Sequence, residues 1–166
     1  MKTTIEDVAE FMRKESLILA TAESCTAGLI AATLADTKGA GQLLDCAFVV
    51  YSPEAKQQCL AVKPQTIERF NLTSEEVARE MALGALNNSR ANLAIANTGV
   101  TDDTDNDIPA GTQCFAWAFA QTSSMQASLF SETRRFDGQR NQIREASAEY
   151  ALQRIPYYSK KARSSS

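Results

Sequence analysis

The sequence predicts an α/β fold, a three-layer α/β/α sandwich around a mixed, mostly parallel sheet. Short apolar runs, typical of strands that are covered on both faces, recur along the 166 residues. Helical patterns separate the first three runs, and this alternation favours parallel strands with helices on both faces. The last two strand-like segments follow each other closely and are expected to pair as a hairpin.

Capping signals locate the helix starts. Thr4 and Asp7 resemble a capping box before an amphipathic pattern. Ser52 precedes Pro53, and serine at the N-cap with proline at the first helical position favours a helix start. Residues 73–76, with the sequence TSEE, resemble a second capping box that opens a long helix.

The two ends of the last helix are also marked: residues 137–138 (Asp-Gly) are expected to cap it, and Pro156 to end it. The predicted elements in chain order are helix 4–14, strand 17–21, a helix up to residue 36, strand 47–51, a helix from residue 53, helix 66–70, a long helix opened by residues 73–76, strand 93–96, strands 112–119 and 127–136, and the final helix.

The length of 166 residues suits one domain with a sizeable core. We expect residues 1–156 to form this single domain. The basic, serine-rich segment 157–166 is expected to be a loose tail.

The charge balance excludes some partners. The chain has 17 basic and 20 acidic residues, a net charge of −3, which argues against binding to nucleic acid or to an anionic membrane surface. No run approaches the roughly 20 apolar residues of a membrane helix, and no secretory signal is visible. A cytoplasmic location is therefore expected.

The absence of histidine restricts the chemistry. It excludes Ser-His-Asp and Cys-His mechanisms within one chain, so a nucleophile would need Lys, Asp, Glu, Tyr or an N-terminal amine as its base. A zinc site built from Cys and His is not expected either, because no C-x-x-C pair is present. The four cysteines are expected to be reduced thiols: Cys25, Cys46, Cys59 and Cys114.

Ser24 is the first candidate nucleophile. It lies in a predicted strand-to-helix turn, where free N–H groups begin a helix. The alternative is that Ser24 is merely a helix N-cap. Cys25 is a rival nucleophile, since a helix start would lower its thiol pKa. The N–H groups of Cys25 and Thr26 are candidate oxyanion donors.

Lys56 is the candidate base. If the two strands before Ser24 and Lys56 are parallel neighbours, both residues follow carboxyl ends at one edge of the sheet. Partial burial and the first turn of a helix would both favour a neutral amine. Tyr51 would end the same strand and could orient or relay a proton. The alternative is an ordinary solvated lysine.

Four stretches of the sequence resemble a known family. They occur in order and in register, and the resemblance runs from about residue 5 to residue 155. They are similar to the CinA C-terminal domain family, the competence/damage-inducible proteins whose enzymatic members are nicotinamide-nucleotide amidases. The stretches are residues 21–26 (TAESCT), 51–56 (YSPEAK), 97–99 (NTG) and 109–112 (PAGT).

This resemblance implies a small-molecule substrate: the carboxamide of nicotinamide mononucleotide would be hydrolysed to the nicotinate nucleotide and ammonia. It implies Ser24 as nucleophile, Lys56 as base and Tyr51 in support, with no metal or other cofactor. It also implies a homodimer. The substrate-binding residues that it implies are Cys25, Thr26, Thr98, Gly99 and Arg140.

The chain departs from the family pattern in the loop that follows Gly99. Where active relatives have a glycine-rich stretch, residues 100–107 carry four aspartates. Like-charge repulsion is expected to weaken binding of a nucleotide phosphate. The alternative to an amidase is therefore a catalytically silent or respecialised paralogue that binds another small molecule. A plain structural domain is the third interpretation.

Overall fold

The computed structural model describes residues 2–165, and its centre is a five-stranded sheet in the order β2-β1-β3-β4-β5. β1 pairs in parallel with β2 and β3, whereas β4 is antiparallel to β3 and β5. Four strands therefore share one direction, which confirms the mixed, mostly parallel sheet. The strands are β1 (Leu19–Glu23), β2 (Leu44–Val49), β3 (Leu93–Gly99), β4 (Thr112–Phe119) and β5 (Ser128–Arg135).

Helices cover both faces of the sheet, as predicted. Side chains of α1, α2, α6 and α7 pack on one face, and those of α3, α4 and α5 on the other. No helix within residues 2–165 combines the length and apolar character needed to cross a membrane. The helices are α1 (Ile5–Lys14), α2 (Leu29–Ala35), α3 (Pro53–Leu60), α4 (Pro64–Phe70), α5 (Glu75–Asn87), α6 (Arg140–Gln153) and α7 (Ile155–Ser164).

The two faces of the sheet differ in side-chain size. Because successive strand residues point to opposite faces, each strand contributes one row to each core. One face carries large side chains, such as Ile95, Phe115 and Trp117. The other face is built mainly of alanine, which lets the helices on that side approach the sheet closely. The alanines are Ala20, Ala22, Ala94, Ala96, Ala116 and Ala118.

The segment expected to be a loose tail is instead helix α7. Pro156, expected to end the preceding helix, lies in the first turn of α7, and α6 ends at Gln153. Tyr158 is buried, and its ring stacks on Trp117 with centroids 4.5 Å apart. Apolar burial on one helix face therefore orders this polar segment. Ser166, the last residue of the predicted tail, lies outside the described residues.

Helix capping follows the sequence signals in two cases out of four. The capping box of Thr4 and Asp7 and the N-cap at Ser52 are confirmed. α5 is capped by Ser74 rather than by Thr73. Gln139 caps α6 in place of the predicted Asp-Gly pair, since residue 138 has a φ of 123°, outside the extended region that an N-cap uses.

The strands before the site are displaced from their predicted bounds. β1 extends to Glu23, two residues further than expected, so Ser24 directly follows the strand. β2 ends at Val49, so Tyr51 lies beyond the strand that it was expected to end. These two strands are parallel neighbours, which meets the condition on which the prediction of Lys56 as the base depends.

Gly84 lets α5 approach the end of α3. A Cβ atom at this position would lie 2.1 Å from the main-chain oxygen of Leu60. The contact is between backbones, so a side chain cannot rotate to relieve it. The approach of the two helices therefore depends on glycine.

We expect Gly84→Ala to lower the free energy of unfolding by about 1–3 kcal/mol, because the added methyl must push α3 away. Urea denaturation measures the change. Gly41→Ala is the matched control, since no other part of the described chain lies within 4 Å of the added Cβ. If the two variants unfolded at the same urea concentration, the contact between Gly84 and Leu60 would not require glycine, and the prediction would be wrong.

Candidate active site

Ser24 begins a tight turn between β1 and α2. Helix α2 starts only at Leu29, and Gly28 is its N-cap. Within the turn, Ala27 and Gly28 have φ values of 48° and 100°. Ser24 is therefore not the N-cap of α2, and its hydroxyl is not used to cap the helix.

The Ser24 hydroxyl contacts the Lys56 amine. Lys56 Nζ lies 3.0 Å from Ser24 Oγ, 3.0 Å from the main-chain oxygen of Val50 and 3.2 Å from that of Tyr51. The lysine is 1% exposed, so it is not the solvated side chain of the alternative interpretation. The chain segment after β2 and the start of α3 bring it under the Ser24 turn.

Burial changes the proton affinity of Lys56. Loss of hydration lowers its pKa from 10.5 to about 8. A neutral amine has two N–H bonds and one lone pair. The carbonyls of Val50 and Tyr51 can each accept a hydrogen bond from one N–H group. The lone pair is then free to accept a hydrogen bond from the Ser24 hydroxyl. The arrangement is therefore suited to removing a proton from Ser24.

A cavity of about 290 Å³ opens onto this pair. Its walls come from the Ser24 turn, the end of β3, the loop after β3 and the segment between α4 and α5. This volume is at the lower end of small-molecule sites. The lining residues are Ser24, Cys25, Tyr51, Lys56, Asn71, Leu72, Thr73, Thr98, Gly99, Val100, Thr104 and Asp105.

Cys25 is poorly suited to be the nucleophile. Its thiol is 5% exposed, and burial raises its pKa, whereas the sequence predicted a lowered one. The expected helix start lies four residues further on. Gln113 Nε2 donates a hydrogen bond to the Cys25 sulfur at 3.4 Å, but this does not outweigh the loss of hydration.

Only one of the two predicted oxyanion donors is free. The Thr26 N–H donates to Asn97 Oδ1 at 3.0 Å and is buried. The Cys25 N–H makes no hydrogen bond within residues 2–165. Stabilisation of negative charge near Ser24 would therefore fall to the Cys25 amide.

Tyr51 and Arg140 lie at the rim. The Tyr51 side chain is 57% exposed, and its hydroxyl accepts a 3.4 Å hydrogen bond from Arg140 Nη2. Arg140 Nη1 donates to Thr101 Oγ1 at 2.5 Å and to Asp102 Oδ2 at 2.7 Å. Tyr51 thus reaches Lys56 through its main-chain oxygen, and its phenol belongs to the Arg140 cluster.

Thr98 and Gly99 lie at the carboxyl end of β3, where the family resemblance expects substrate contacts. Both residues line the cavity. The Thr98 hydroxyl donates to the Leu72 main-chain oxygen at 2.9 Å. Its oxygen lone pairs, rather than its proton, are therefore available to a ligand.

Four residues that we did not predict as site residues support the site. Glu23 is buried below the turn, and Arg144 donates to the main-chain oxygens of Cys25 and Thr26. Asn97 Nδ2 donates to Gln113 Oε1 at 2.9 Å. A carboxylate at the end of an apolar run marks Glu23 in the sequence, and Arg144 follows Arg140 by one helical turn. Gln113 carries no comparable signal.

Three of the four loop aspartates, Asp102, Asp103 and Asp105, accept hydrogen bonds from within the loop or from neighbouring segments. Asp105 accepts from Asn71 Nδ2 at 2.8 Å and from the Asp107 N–H at 2.9 Å, and these bonds lower its pKa. Asp103 accepts from the Ala110 N–H. From residue 2 to residue 165, no cluster of three or more His, Cys, Asp or Glu side chains could hold a metal ion.

A sequence model of the CinA C-terminal domain matches residues 1–158. The chain belongs to the CinA C-terminal domain family. The CinA-like protein of Chlorobium chlorochromatii is 42% identical over 115 residues, which are 68% of this chain and 27% of that protein. The nicotinamide-nucleotide amidohydrolase PncC of Escherichia coli K12 is 35% identical over 154 residues, 90% of this chain and 89% of that protein.

Solved structures of the family have the same fold. The competence/damage inducible protein CihA from Agrobacterium tumefaciens superposes with a TM-score of 0.81 at 32% identity, covering 92% of this chain and 94% of that one. A CinA superfamily protein from Escherichia coli superposes with a TM-score of 0.82 at 30% identity, covering 92% and 89%. The α/β architecture is therefore shared along nearly the whole chain.

The buried amine makes stability depend on pH. The pKa of Lys56 is about 8 in the folded protein and 10.5 ordinarily, so the unfolded chain binds more protons between these values. Stability should rise with pH across this window, by roughly 3 kcal/mol in total. We expect Lys56→Met to lack this rise in urea denaturation at pH 8 to 10.5.

The control for this measurement is Leu60→Met, which alters a buried, untitratable side chain of the same helix. The difference in free energy of unfolding between Leu60→Met and the parent should not change with pH. If the parent and Lys56→Met followed parallel pH curves, the amine would not be buried in the folded protein.

Proposed function

We propose that the protein is an amidohydrolase that acts on the carboxamide of a nicotinamide nucleotide, with Ser24 as nucleophile and Lys56 as general base. The observation that carries the proposal is the 3.0 Å separation of Ser24 Oγ and Lys56 Nζ at a cavity. The amidohydrolase name of the PncC relative supports the substrate class.

The proposed reaction begins with attack of Ser24 Oγ on the carboxamide carbon while Lys56 Nζ takes the hydroxyl proton. The Cys25 N–H stabilises the oxyanion. Lys56 then returns the proton to the departing nitrogen, and ammonia leaves an ester on Ser24. Water, deprotonated by Lys56, hydrolyses this ester to the carboxylic acid and restores the serine.

The remaining predicted residues would bind the substrate. Thr98 and Gly99 form one wall of the cavity, next to the reacting pair. Tyr51 and Arg140 stand together at the rim, where a guanidinium could meet a phosphate. The homodimer and the cytoplasmic location stay predictions from the sequence.

A second candidate function is the binding of a different small molecule, with activity lost or respecialised. Asp105 lines the cavity, and Asp102 already pairs with Arg140. Both carboxylates oppose a phosphate at this end of the site. This observation favours a ligand without a phosphate.

We expect the parent protein to release ammonia from nicotinamide mononucleotide and Ser24→Ala to lower the rate by about 10⁴-fold or more, as for other lost nucleophiles. The rate of the parent should rise with pH through a limb near 8, where Lys56 loses its proton. A coupled ammonia assay measures both effects.

Two further variants make the assay specific. Cys25→Ala should keep at least about a tenth of the rate, because the thiol is not the nucleophile in this mechanism. Ser124→Ala changes an exposed serine of the β4–β5 loop and should have no effect. Release of ammonia that survives Ser24→Ala would rule out the mechanism.

The two functions differ in the expected effect of Asp105→Asn. If the carboxylate repels the phosphate, its removal in a Ser24→Ala background should raise the affinity for nicotinamide mononucleotide by about fivefold, about 1 kcal/mol. The affinity for nicotinamide riboside, which has no phosphate, should stay nearly unchanged. Calorimetry measures both ligands, with the exposed Asp36→Asn as control. Mononucleotide affinity that is already high and unaffected by the variant would exclude the second function.

A further inference from the structure

The Glu23 carboxylate is fully buried at the base of the Ser24 turn. None of the ion pairs formed within residues 2–165 includes it. A buried carboxylate needs compensating donors, and Glu23 accepts five hydrogen bonds. The donors are Thr21 Oγ1 at 2.8 Å, Thr26 Oγ1 at 2.7 Å, and the N–H groups of Gly28, Ile30 and Ala31 at 3.1, 2.8 and 3.1 Å.

These bonds join the two ends of the turn. The donors come from β1, from residues 26–28 of the turn, and from the first turn of α2. The turn itself is not favoured locally, because Ala27 adopts a left-handed φ of 48° that costs energy for any residue with a Cβ. The carboxylate therefore holds in place a conformation that the peptide alone would not keep.

We propose that Glu23 is a positioning residue for Ser24 in the hydrolysis described above, and this inference rests on that proposed function. By holding the turn against α2, the carboxylate keeps Ser24 Oγ within reach of the Lys56 amine. It also occupies N–H groups at the start of α2, so that these amides serve the turn and not the substrate. Proton transfer between side chains is sensitive to such placement, since an error of about 1 Å can lower a rate by about 100-fold.

Glu23→Gln is a mild test of this role. With its oxygen in the place of Oε1, the amide keeps the bonds from Thr26, Gly28 and Ile30. Its nitrogen then replaces Oε2 and can donate to the Thr21 hydroxyl. The same nitrogen faces the Ala31 N–H, and two donors cannot bond to each other, so this one hydrogen bond is lost. The side-chain length is unchanged.

Glu80→Gln is the matched control. Glu80 also accepts from a main-chain N–H, that of Lys63 at 2.8 Å, and from a threonine hydroxyl, that of Thr66 at 2.5 Å. Neither partner lines the Ser24 cavity. Both variants should lower the melting temperature by a few degrees, so stability loss alone cannot explain a difference in activity.

We expect Glu23→Gln to lower kcat for nicotinamide mononucleotide by about 10- to 100-fold, with KM within about threefold of the parent. The limb near pH 8 should not move, because the burial that lowers the pKa of Lys56 is unchanged. Glu80→Gln should keep the kcat of the parent. The role of Glu23 is overturned if its variant keeps kcat within about threefold, or if Glu80→Gln loses as much.

Crystal structures of the parent and of Glu23→Gln separate this inference from the proposed function. If the parent hydrolyses no amide, the proposed function fails, and the distance from Ser24 Oγ to Lys56 Nζ then decides the role of Glu23. Lengthening by more than about 0.5 Å in the variant supports positioning. An unchanged distance overturns it.

Discussion

The parallel pairing of β1 with both β2 and β3 is the constraint on which the site depends. In this register the last residue of β1, Glu23, stands beside Val49 and Asn97. The pairing continues one residue beyond the strands, since the Val50 N–H donates to the Glu23 main-chain oxygen and the Ser24 N–H to that of Asn97. Three carboxyl ends therefore meet at one edge of the sheet, where the Ser24 hydroxyl, the Lys56 amine and the wall of the cavity lie side by side.

Two buried ionisable groups lie at this edge, and they differ in how far hydrogen bonds compensate for their burial. Glu23 is surrounded by donors, which compensate for its burial. Within residues 2–165, the Lys56 amine has only two carbonyls and one hydroxyl as hydrogen-bonding neighbours, and burial lowers its pKa to about 8. The first group stabilises the turn, whereas the second lowers stability in its charged form. That cost is understandable if the neutral amine is what the site requires.

The rim of the cavity has a different electrostatic character from its floor. At the floor, the Ser24 hydroxyl is uncharged, and the Lys56 amine, whose pKa is lowered to about 8, loses its positive charge above that pH. At the rim, Arg140 is paired with Asp102, and Asp105 adds a second carboxylate. In the proposed function, bond cleavage would therefore take place at the sheet edge, and the loop after β3 would meet the rest of the ligand. A change in that loop can alter the ligand without altering the reacting pair.

The sequence by itself determined the order and type of most elements and the candidates Ser24 and Lys56, because apolar runs, caps and the lack of histidine are local or compositional signals. Only the tertiary structure decided which polar groups are free. The Thr26 N–H is consumed by Asn97, the Cys25 thiol is buried, and Glu23 holds the turn. Helix α7 likewise depends on the contact of Tyr158 with Trp117, far away in the sequence. Hydrogen bonding and hydration of a group depend on neighbours that only folding brings together, and no spacing of residues along the chain reports them.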